Sequence, residues 1–286
     1  MDTILEVRNI SKSFNGLKVL EQASFAVQTG TIAAFFGENG SGKTTLFHII
    51  SGFLKADGGE LRCKNVPIPH PTPVGVAQLG IGRVWQNPRI CRNLSVLDNL
   101  LLASRNHPGE SIRNYIMRPG KIVAEEKSRK QKAVEIARHT ALDGKLSQIA
   151  GELSFGQQKL LSIGMLLMNE SSLLLLDEPF AGVNAKMVDH ISEVMGNLKR
   201  QGKTVMMIEH NRTKATSISD MQFFLSKGQV IKGNSNTYCE HSEDEAEGLV
   251  SSDTSEYMRR SSFAQRIDQD AAQISGVALK NIEVCS

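Results

Sequence analysis

Closely spaced cysteines are absent from this sequence. Its 286 residues include four cysteines, Cys63, Cys91, Cys239 and Cys285, and no two of them form a Cys-x-x-Cys pair. Such pairs are the usual signature of a zinc site or of a dithiol redox centre. Their absence favours reduced thiols that bind no metal and form no disulfide, as in a cytoplasmic protein.

Apolar runs long enough to cross a membrane are also missing. A membrane helix needs roughly 18 consecutive apolar residues. The longest apolar stretch, LLSIGMLLMNESSLLLLD, is interrupted by the polar residues 169–172. The beginning, MDTILEVRNI, carries an early acid and lacks a basic segment followed by an apolar one, so we expect no signal peptide.

A strong excess of one charge is lacking as well, although the charge is unevenly distributed. The net charge is +3, but residues 233–286 hold ten acids and four bases, which leaves a net charge of +9 on residues 1–232. This basic body suits a nucleotide or the anionic face of a membrane, and it is too weak and dispersed to predict nucleic-acid binding. We predict a first domain at 1–232 and an acidic, serine-rich, loosely attached extension at 233–286.

Strands and helices alternate through the first domain. The apolar spacing predicts helices at 156–168 and 185–200, strands at 173–177 and 204–209, and a hairpin that turns at Lys227 and Gly228. Strands that alternate with helices indicate an α/β fold with a parallel sheet.

A glycine-rich stretch, GENGSGKTT at residues 37–45, follows the apolar run TIAAFF and precedes apolar residues at helical spacing. A strand, a glycine loop and a helix in this order predict a phosphate-binding loop, whose backbone N–H groups and helix end wrap a polyphosphate. We predict that Lys43 reaches the outer phosphates and that Thr44 places its hydroxyl on Mg²⁺. A glycine-rich turn without a ligand is the alternative. The predicted nucleotide-binding residues of the loop are Gly37, Glu38, Asn39, Gly40, Ser41, Gly42, Lys43, Thr44 and Thr45.

Two acids end another apolar run, LLLLDEP at residues 173–179. A buried strand carries its terminal carboxylates to the sheet edge where ligands of open α/β sheets bind. Asp177 is predicted to hold Mg²⁺, and Glu178 to polarise the water that attacks the γ-phosphate. The simpler alternative is two solvated acids at the end of a strand.

These two motifs and four further elements, in their order along the chain, resemble the ATP-binding cassette ATPases. The segment LSFGQQK, at 153–159, resembles the LSGGQ signature of that family. Gln86 resembles its Q-loop glutamine, His210 its switch histidine and Phe14 the aromatic residue that stacks on adenine. The resemblance covers residues 3–232.

The resemblance implies a fold and an activity. It implies a P-loop NTPase fold with a parallel sheet core, an antiparallel β subdomain and a helical subdomain at about 88–165. It also implies Mg²⁺-dependent ATP hydrolysis. The residues that it assigns to catalysis are Lys43, Gln86, Glu178 and His210, and those that it assigns to the metal are Thr44, Gln86 and Asp177.

The resemblance further implies a head-to-tail dimer with a second copy or with a homologous ATPase subunit. Each ATP would lie between the phosphate loop of one copy and the signature of the other. The signature residues that would bind it are Ser154, Gly156 and Gln157, which begin a helical segment and form a second anion-binding end. Phe155 and Asn184 depart from common family residues, and we expect hydrolysis to survive both departures.

A finer resemblance concerns the kind of transporter. LGIGRVWQNPRICRNLSVLDNLLLA and DEPFAGVN are similar to segments of the ATPase subunits of branched-chain amino-acid importers and of related urea or amide importers. Lipopolysaccharide-export ATPases resemble parts of them almost as well, and a soluble cassette protein outside transport is a third alternative. An importer ATPase would lie on the cytoplasmic face of the membrane, with separate permease subunits and a solute-binding protein. We also predict that residues 87–100 form a groove for a permease helix, with Ile90, Leu94, Val96 and Leu97 exposed.

Overall fold

The structure is a computed structural model that describes residues 2–105 and 119–233. The acidic extension beyond residue 233 lies outside the described residues, and with it the prediction that this extension is loosely attached. No helix within the two described ranges combines the length and the apolarity that crossing a membrane requires.

A six-stranded sheet forms the centre of the fold. Its strands are β3 (Ile32–Phe36), β6 (Ile81–Val84), β7 (Leu173–Asp177), β8 (Thr204–Ile208), β9 (Met221–Ser226) and β10 (Gln229–Gly233). They lie in the order β10-β9-β3-β8-β7-β6, and all are parallel except β10 at one edge. Strands β3, β7 and β8 are buried along their whole length, which explains their nearly continuous apolar sequences.

A second, antiparallel sheet covers one face of the central sheet. Its strands, in the order β2-β1-β4-β5, are β1 (Thr3–Phe14), β2 (Leu17–Gln28), β4 (Gly58–Cys63) and β5 (Val66–Pro67). Phe25 of β2 contacts Phe35 of β3 and Phe223 of β9, with ring centroids 5.0 and 5.3 Å apart. The two sheets therefore share one apolar core.

Seven helices complete the described part of the chain. They are α1 (Lys43–Ile50), α2 (Pro73–Gln78), α3 (Val96–Leu102), α4 (Pro119–His139), α5 (Phe155–Met168), α6 (Ala185–Arg200) and α7 (Arg212–Ile218), with short 3-10 turns at Asp143–Lys145 and Ala150–Glu152. Helix α1 packs between the two sheets through Leu46, Phe47 and Ile50. Helices α3, α4 and α5 share the core on the opposite face of the central sheet. The described helices of the region predicted at about 88–165 thus lie on one side of the sheet.

The predicted elements of the sheet are confirmed. Strands β7 and β8 and helix α6 have the predicted positions to within one residue. The β9–β10 hairpin turns at Lys227 and Gly228, whose φ angles are 47° and 79°. Two consecutive positive φ angles fit a tight hairpin turn between twisted strands.

The apolar residues predicted to line an exposed groove at 87–100 are mostly covered. Val96 is completely buried, and Ile90 and Leu97 pack against the core, whereas Leu94 is 39% exposed. Ser95 caps α3 by accepting the N–H of Asp98 at 3.1 Å, and this start of the helix turns Val96 inward. The prediction that all four side chains are exposed was therefore wrong.

Candidate phosphate-binding and hydrolytic site

The predicted phosphate loop connects the C-terminal end of β3, a strand inside the parallel sheet, to the start of α1. Two of its glycines are required by their surroundings. A Cβ atom on Gly37 would lie 2.4 Å from the Leu225 carbonyl oxygen, and one on Gly42 would lie 2.8 Å from that of Val19. Both also have positive φ angles, 152° and 103°, which favour glycine. The loop is therefore held close to the backbone of β2 and β9.

The side chain of Lys43 is hydrogen-bonded to the backbone of this loop. Its Nζ donates to the carbonyl oxygens of Gly37 at 2.8 Å and Glu38 at 2.7 Å, and the residue is 6% exposed. Burial lowers the pKa of the ammonium to about 8, and the carboxylates of Glu178, Asp177 and Glu38 partly oppose this decrease. The Lys43 ammonium therefore interacts electrostatically with both predicted acids, Asp177 and Glu178.

The other predicted loop residues differ in their exposure. Glu38 and Asn39 are exposed on the outer side of the loop, whereas Ser41 and Thr45 are buried. Thr44 is half-buried in the first turn of α1, and its carbonyl oxygen lies 2.7 Å from His48 Nδ1. The order of strand, glycine loop and helix is therefore confirmed, and phosphate binding by these residues stays a prediction.

Asp177, the predicted metal ligand at the end of β7, is paired with an arginine. Arg83 Nη2 donates to Asp177 Oδ2 at 2.7 Å, and the two side chains are 3% and 9% exposed. The guanidinium carbon of Arg83 also lies 3.9 Å from the centre of the Trp85 ring. The bond to Arg83 fixes the orientation of the Asp177 carboxylate in the interior. Sequence reasoning missed Arg83, although an arginine inside the apolar strand IGRV was a visible signal.

Removing this arginine is expected to destabilise the fold. Arg83→Met should lower the free energy of unfolding by about 3 kcal/mol, because it leaves the Asp177 charge buried without its partner. Urea denaturation of the nucleotide-free protein measures the change. The matched control is Arg62→Met, which breaks the half-exposed pair with Glu60 and should cost less than about 1 kcal/mol. Equal losses for the two variants would contradict the structural role of the buried pair.

Glu178, the predicted base, is brought together with Gln86 and His210. Gln86 Nε2 donates to Glu178 Oε2 at 2.7 Å, and His210 Nε2 lies 3.1 Å from Oε1. The backbone of Glu178 has a φ angle of 48°, a left-handed conformation that costs about 1–2 kcal/mol for a residue other than glycine. A strained backbone of this kind persists only where the surrounding structure holds it.

The predicted signature segment begins α5 with a reciprocal cap. Ser154 Oγ accepts the N–H of Gln157 at 3.4 Å, and Gln157 Oε1 accepts the N–H of Ser154 at 3.0 Å. The expectation that the N–H groups of Ser154 and Gln157 face an anion is therefore corrected, because the cap uses both. The N–H groups of Phe155 and Gly156 begin the helix and lie between these two capped positions.

The two residues that depart from common family residues occupy ordinary structural positions. The Phe155 ring is 38% exposed, and a Cβ atom on Gly182 would lie 3.2 Å from it. Asn184 caps α6 by accepting the N–H of Met187 at 3.0 Å, a role that aspartate fills equally well.

Phe14, predicted to stack on adenine, lies in the antiparallel sheet. It ends β1 and pairs with Leu17 across the β1–β2 hairpin, and its ring is partly exposed. Val19, two residues further along β2, is the residue whose carbonyl oxygen approaches Gly42. The hairpin therefore continues into the strand that packs on the phosphate loop, and stacking of Phe14 on adenine stays a prediction.

Comparisons with known proteins agree with this geometry. The family model described as ABC transporter matches residues 20–181. Two relatives named probable branched-chain amino acid transport ATP-binding protein LivG, from Archaeoglobus fulgidus and Methanocaldococcus jannaschii, are 35% and 36% identical to this chain. Each alignment covers 80% of this chain and 88% of the relative. The solved ADP conformation of MJ1267, an ATP-binding cassette of an ABC transporter, has a TM-score of 0.71 at 31% identity and covers 86% of this chain and 96% of that one.

Proposed function

We propose that this chain, which belongs to the ABC transporter family, hydrolyses ATP to drive import of a branched-chain amino acid or a related small amide through separate membrane subunits. The observation that carries the proposal is the position of Glu178. Its carboxylate lies between Gln86 and His210 and within electrostatic reach of the Lys43 ammonium. A proton acceptor beside a phosphate-binding cation is what hydrolysis of a phosphoanhydride needs. The names of the two LivG relatives support the solute class.

In this proposal the phosphate loop binds and orients the triphosphate. Lys43 turns its N–H groups from the carbonyl oxygens of Gly37 and Glu38 to the outer phosphates, where each hydrogen bond is charge-assisted. The backbone amides of the loop and the start of α1 contribute further donors. The partly exposed Phe14 ring provides a surface for the adenine base.

The oxygen donors at the site would also fit a magnesium ion. Magnesium in nucleotide sites takes one or two protein oxygens and completes its shell with phosphates and water. Asp177 supplies a carboxylate held by Arg83, and Thr44 supplies a hydroxyl. Gln86, also assigned to the metal, contacts Glu178 here. When bound, the ion neutralises charge that develops on the phosphates during hydrolysis.

Glu178 is the group proposed to accept a proton in the reaction. It takes the proton from a water whose oxygen attacks the γ-phosphorus, while the bond from that phosphorus to the bridging oxygen breaks and ADP leaves. Gln86 and His210 each form a hydrogen bond with one oxygen of the Glu178 carboxylate, so both can position this base.

A second subunit completes each site in this proposal. A chain has one phosphate loop and one signature segment, and a head-to-tail pair of chains provides two of each. The N–H groups of Phe155 and Gly156, at the start of α5, would meet the nucleotide bound by the other subunit. We place the chain on the cytoplasmic face of the membrane, bound to permease subunits that also contact a solute-binding protein.

The test of the solute class is transport in proteoliposomes. The full chain is reconstituted with the permease subunits and the solute-binding protein that co-purify with it, and uptake of labelled leucine, acetamide and ribose is compared. We expect ATP-dependent accumulation of leucine or acetamide, and a Glu178→Gln subunit should abolish it. Accumulation of ribose alone, or outward movement of lipid, would overturn the proposed solute class while leaving the ATPase assignment intact.

A further inference from the structure

The four residues that follow β7, from Glu178 to Ala181, form a loop in which one buried lysine binds three of the carbonyl oxygens. Lys159 Nζ donates to the carbonyl oxygens of Glu178 at 2.6 Å, Pro179 at 3.3 Å and Ala181 at 2.8 Å. An ammonium group has three N–H donors, and these contacts use all of them. Lys159 is 2% exposed and lies in α5, one turn after the signature segment begins that helix.

A buried carboxylate holds the same loop from another strand. Glu209, which directly follows β8, is 3% exposed, and its Oε1 accepts the N–H of Phe180 at 2.6 Å. Its Oε2 accepts the N–H of His210 at 3.1 Å and that of Asn211 at 3.4 Å. One carboxylate therefore binds both the loop that carries Glu178 and the backbone of His210.

Two opposite charges are thus buried on either side of the loop, and the hydrogen bonds given above are all to backbone atoms. Burial lowers the pKa of Lys159 and raises that of Glu209, so the fold disfavours both charges. A pair of apolar side chains would avoid this cost. The two charged side chains bind the backbone of a loop whose first residue, Glu178, has a left-handed conformation, and this role explains why they are buried there.

We propose that Lys159 and Glu209 are positioning residues that keep Glu178 in the geometry needed for hydrolysis. This inference rests on the proposed function. Because Lys159 belongs to the helix that the signature segment begins, it also joins that segment directly to the base of the same chain. In the head-to-tail pair, the signature of one chain meets the nucleotide of the other. Lys159 therefore provides a route by which nucleotide bound at one site affects the base at the second site.

A general contribution to folding is the competing explanation, and Lys203 supplies the matched control. Its Nζ donates to the Ser171 carbonyl oxygen at 2.9 Å, and burial lowers its pKa as well. Ser171 precedes β7, however, so this bond lies at the opposite end of the strand from Glu178. Lys203→Met removes a lysine–carbonyl bond of the same type without touching the loop.

The experiment compares Lys159→Met, Lys159→Arg, Glu209→Gln and Lys203→Met in the full chain. We expect Lys159→Met to lower kcat about 100-fold, as a small displacement of a catalytic group does, and to change KM for ATP less than about threefold. Lys159→Arg, which keeps the charge and the donors, should restore kcat to within about threefold of the parent, and Lys203→Met should leave it unchanged. Glu209→Gln should lower kcat by an intermediate factor.

Amide hydrogen exchange of the nucleotide-free protein gives a readout that does not depend on ATPase activity. We expect faster exchange at Phe180 and Ala181 in Lys159→Met and Glu209→Gln, and parental exchange there in Lys203→Met. A parent chain without ATPase activity would refute the proposed function, whereas unchanged exchange at this loop would refute the positioning role. Equal losses of kcat in Lys159→Met and Lys203→Met would also overturn it. If Lys159→Met does not fold, Lys159→Arg and Glu209→Gln decide the question by the same two measurements.

Discussion

A Glu178→Gln variant is expected to bind ATP and to hydrolyse it at least 100-fold more slowly than the parent chain. The amide has the shape of the carboxylate but cannot take up the proton of the attacking water, and a positioned general base is worth about 10²–10⁴-fold in rate. The amide keeps one oxygen, which still accepts a hydrogen bond from Gln86 or from His210, while the other acceptor is replaced by an NH₂ donor. Binding of nucleotide should therefore remain.

Two measurements on this variant test the base and the dimer together. Steady-state phosphate release gives the loss of turnover, and size-exclusion chromatography with ATP and Mg²⁺ shows whether a dimer accumulates when turnover is blocked. The matched control is Glu170→Gln, since Glu170 lies before β7, at the other end of the strand, and pairs with Lys132 at 2.7 Å on the surface. A Glu178→Gln chain that turns over like Glu170→Gln would remove Glu178 from the catalytic role.

Lys43→Ala is expected to weaken nucleotide binding about 100-fold and to abolish measurable hydrolysis at cellular ATP concentrations. Each charge-assisted hydrogen bond to a phosphate contributes about 1.5–3 kcal/mol, and Lys43 can make at least two. Titration with a fluorescent, non-hydrolysable ATP analogue measures the loss. Lys18→Ala is the control, because Lys18 is an exposed lysine paired with Glu21 on β2. Equal affinities of the two variants would exclude Lys43 from the phosphate site.

The pKa of Lys43 makes the same binding step depend on pH. Its pKa is lowered to about 8 in the nucleotide-free protein, and phosphate charge beside it would raise it again. Above pH 8 the Lys43 side chain of the free protein is mostly deprotonated, and it must take up a proton when nucleotide binds. The affinity for nucleotide should therefore fall about tenfold between pH 7 and pH 9. Calorimetry at pH 9 in buffers of different ionisation enthalpy should show uptake of one proton by the parent. Uptake of the same proton by Lys43→Ala would assign it to another group.

The same shift has a consequence for folding, with a definite sign. The unfolded chain keeps the Lys43 proton up to its ordinary pKa of 10.5, whereas the folded chain releases it near pH 8. Between these values the unfolded state binds more protons, so the cost of burying this ammonium is present in full below pH 8 and is relieved as pH rises. At pH 7 the nucleotide-free protein is therefore destabilised by the buried Lys43 ammonium. The negative charge of bound phosphates would offset this destabilisation.

Local patterns in the sequence were enough to predict most elements of the fold and the two chemical motifs. The glycines of residues 37–42, the apolar runs ending at Phe36 and Asp177, and the helical spacing after Lys43 each concern neighbours along the chain. Such patterns report backbone conformation and the burial of one face. These patterns failed at 87–100. Val96 follows the capping residue Ser95, and its burial results from packing of α3 against the core, which neighbours along the chain do not reveal.

What the sequence by itself determined is therefore the phosphate loop, the acids that end β7 and the order of the elements. Only the tertiary structure decided which distant side chains meet, because β6, β7 and β8 are neighbours in the sheet although they are far apart in the chain. This strand order brings Arg83 to Asp177 and places Glu178 between Gln86 and His210. It also puts the loop after Asp177 within reach of buried charges from α5 and from the end of β8. Spacing along the chain carries no record of such contacts, since they arise from how strands pair and helices pack across the sheet.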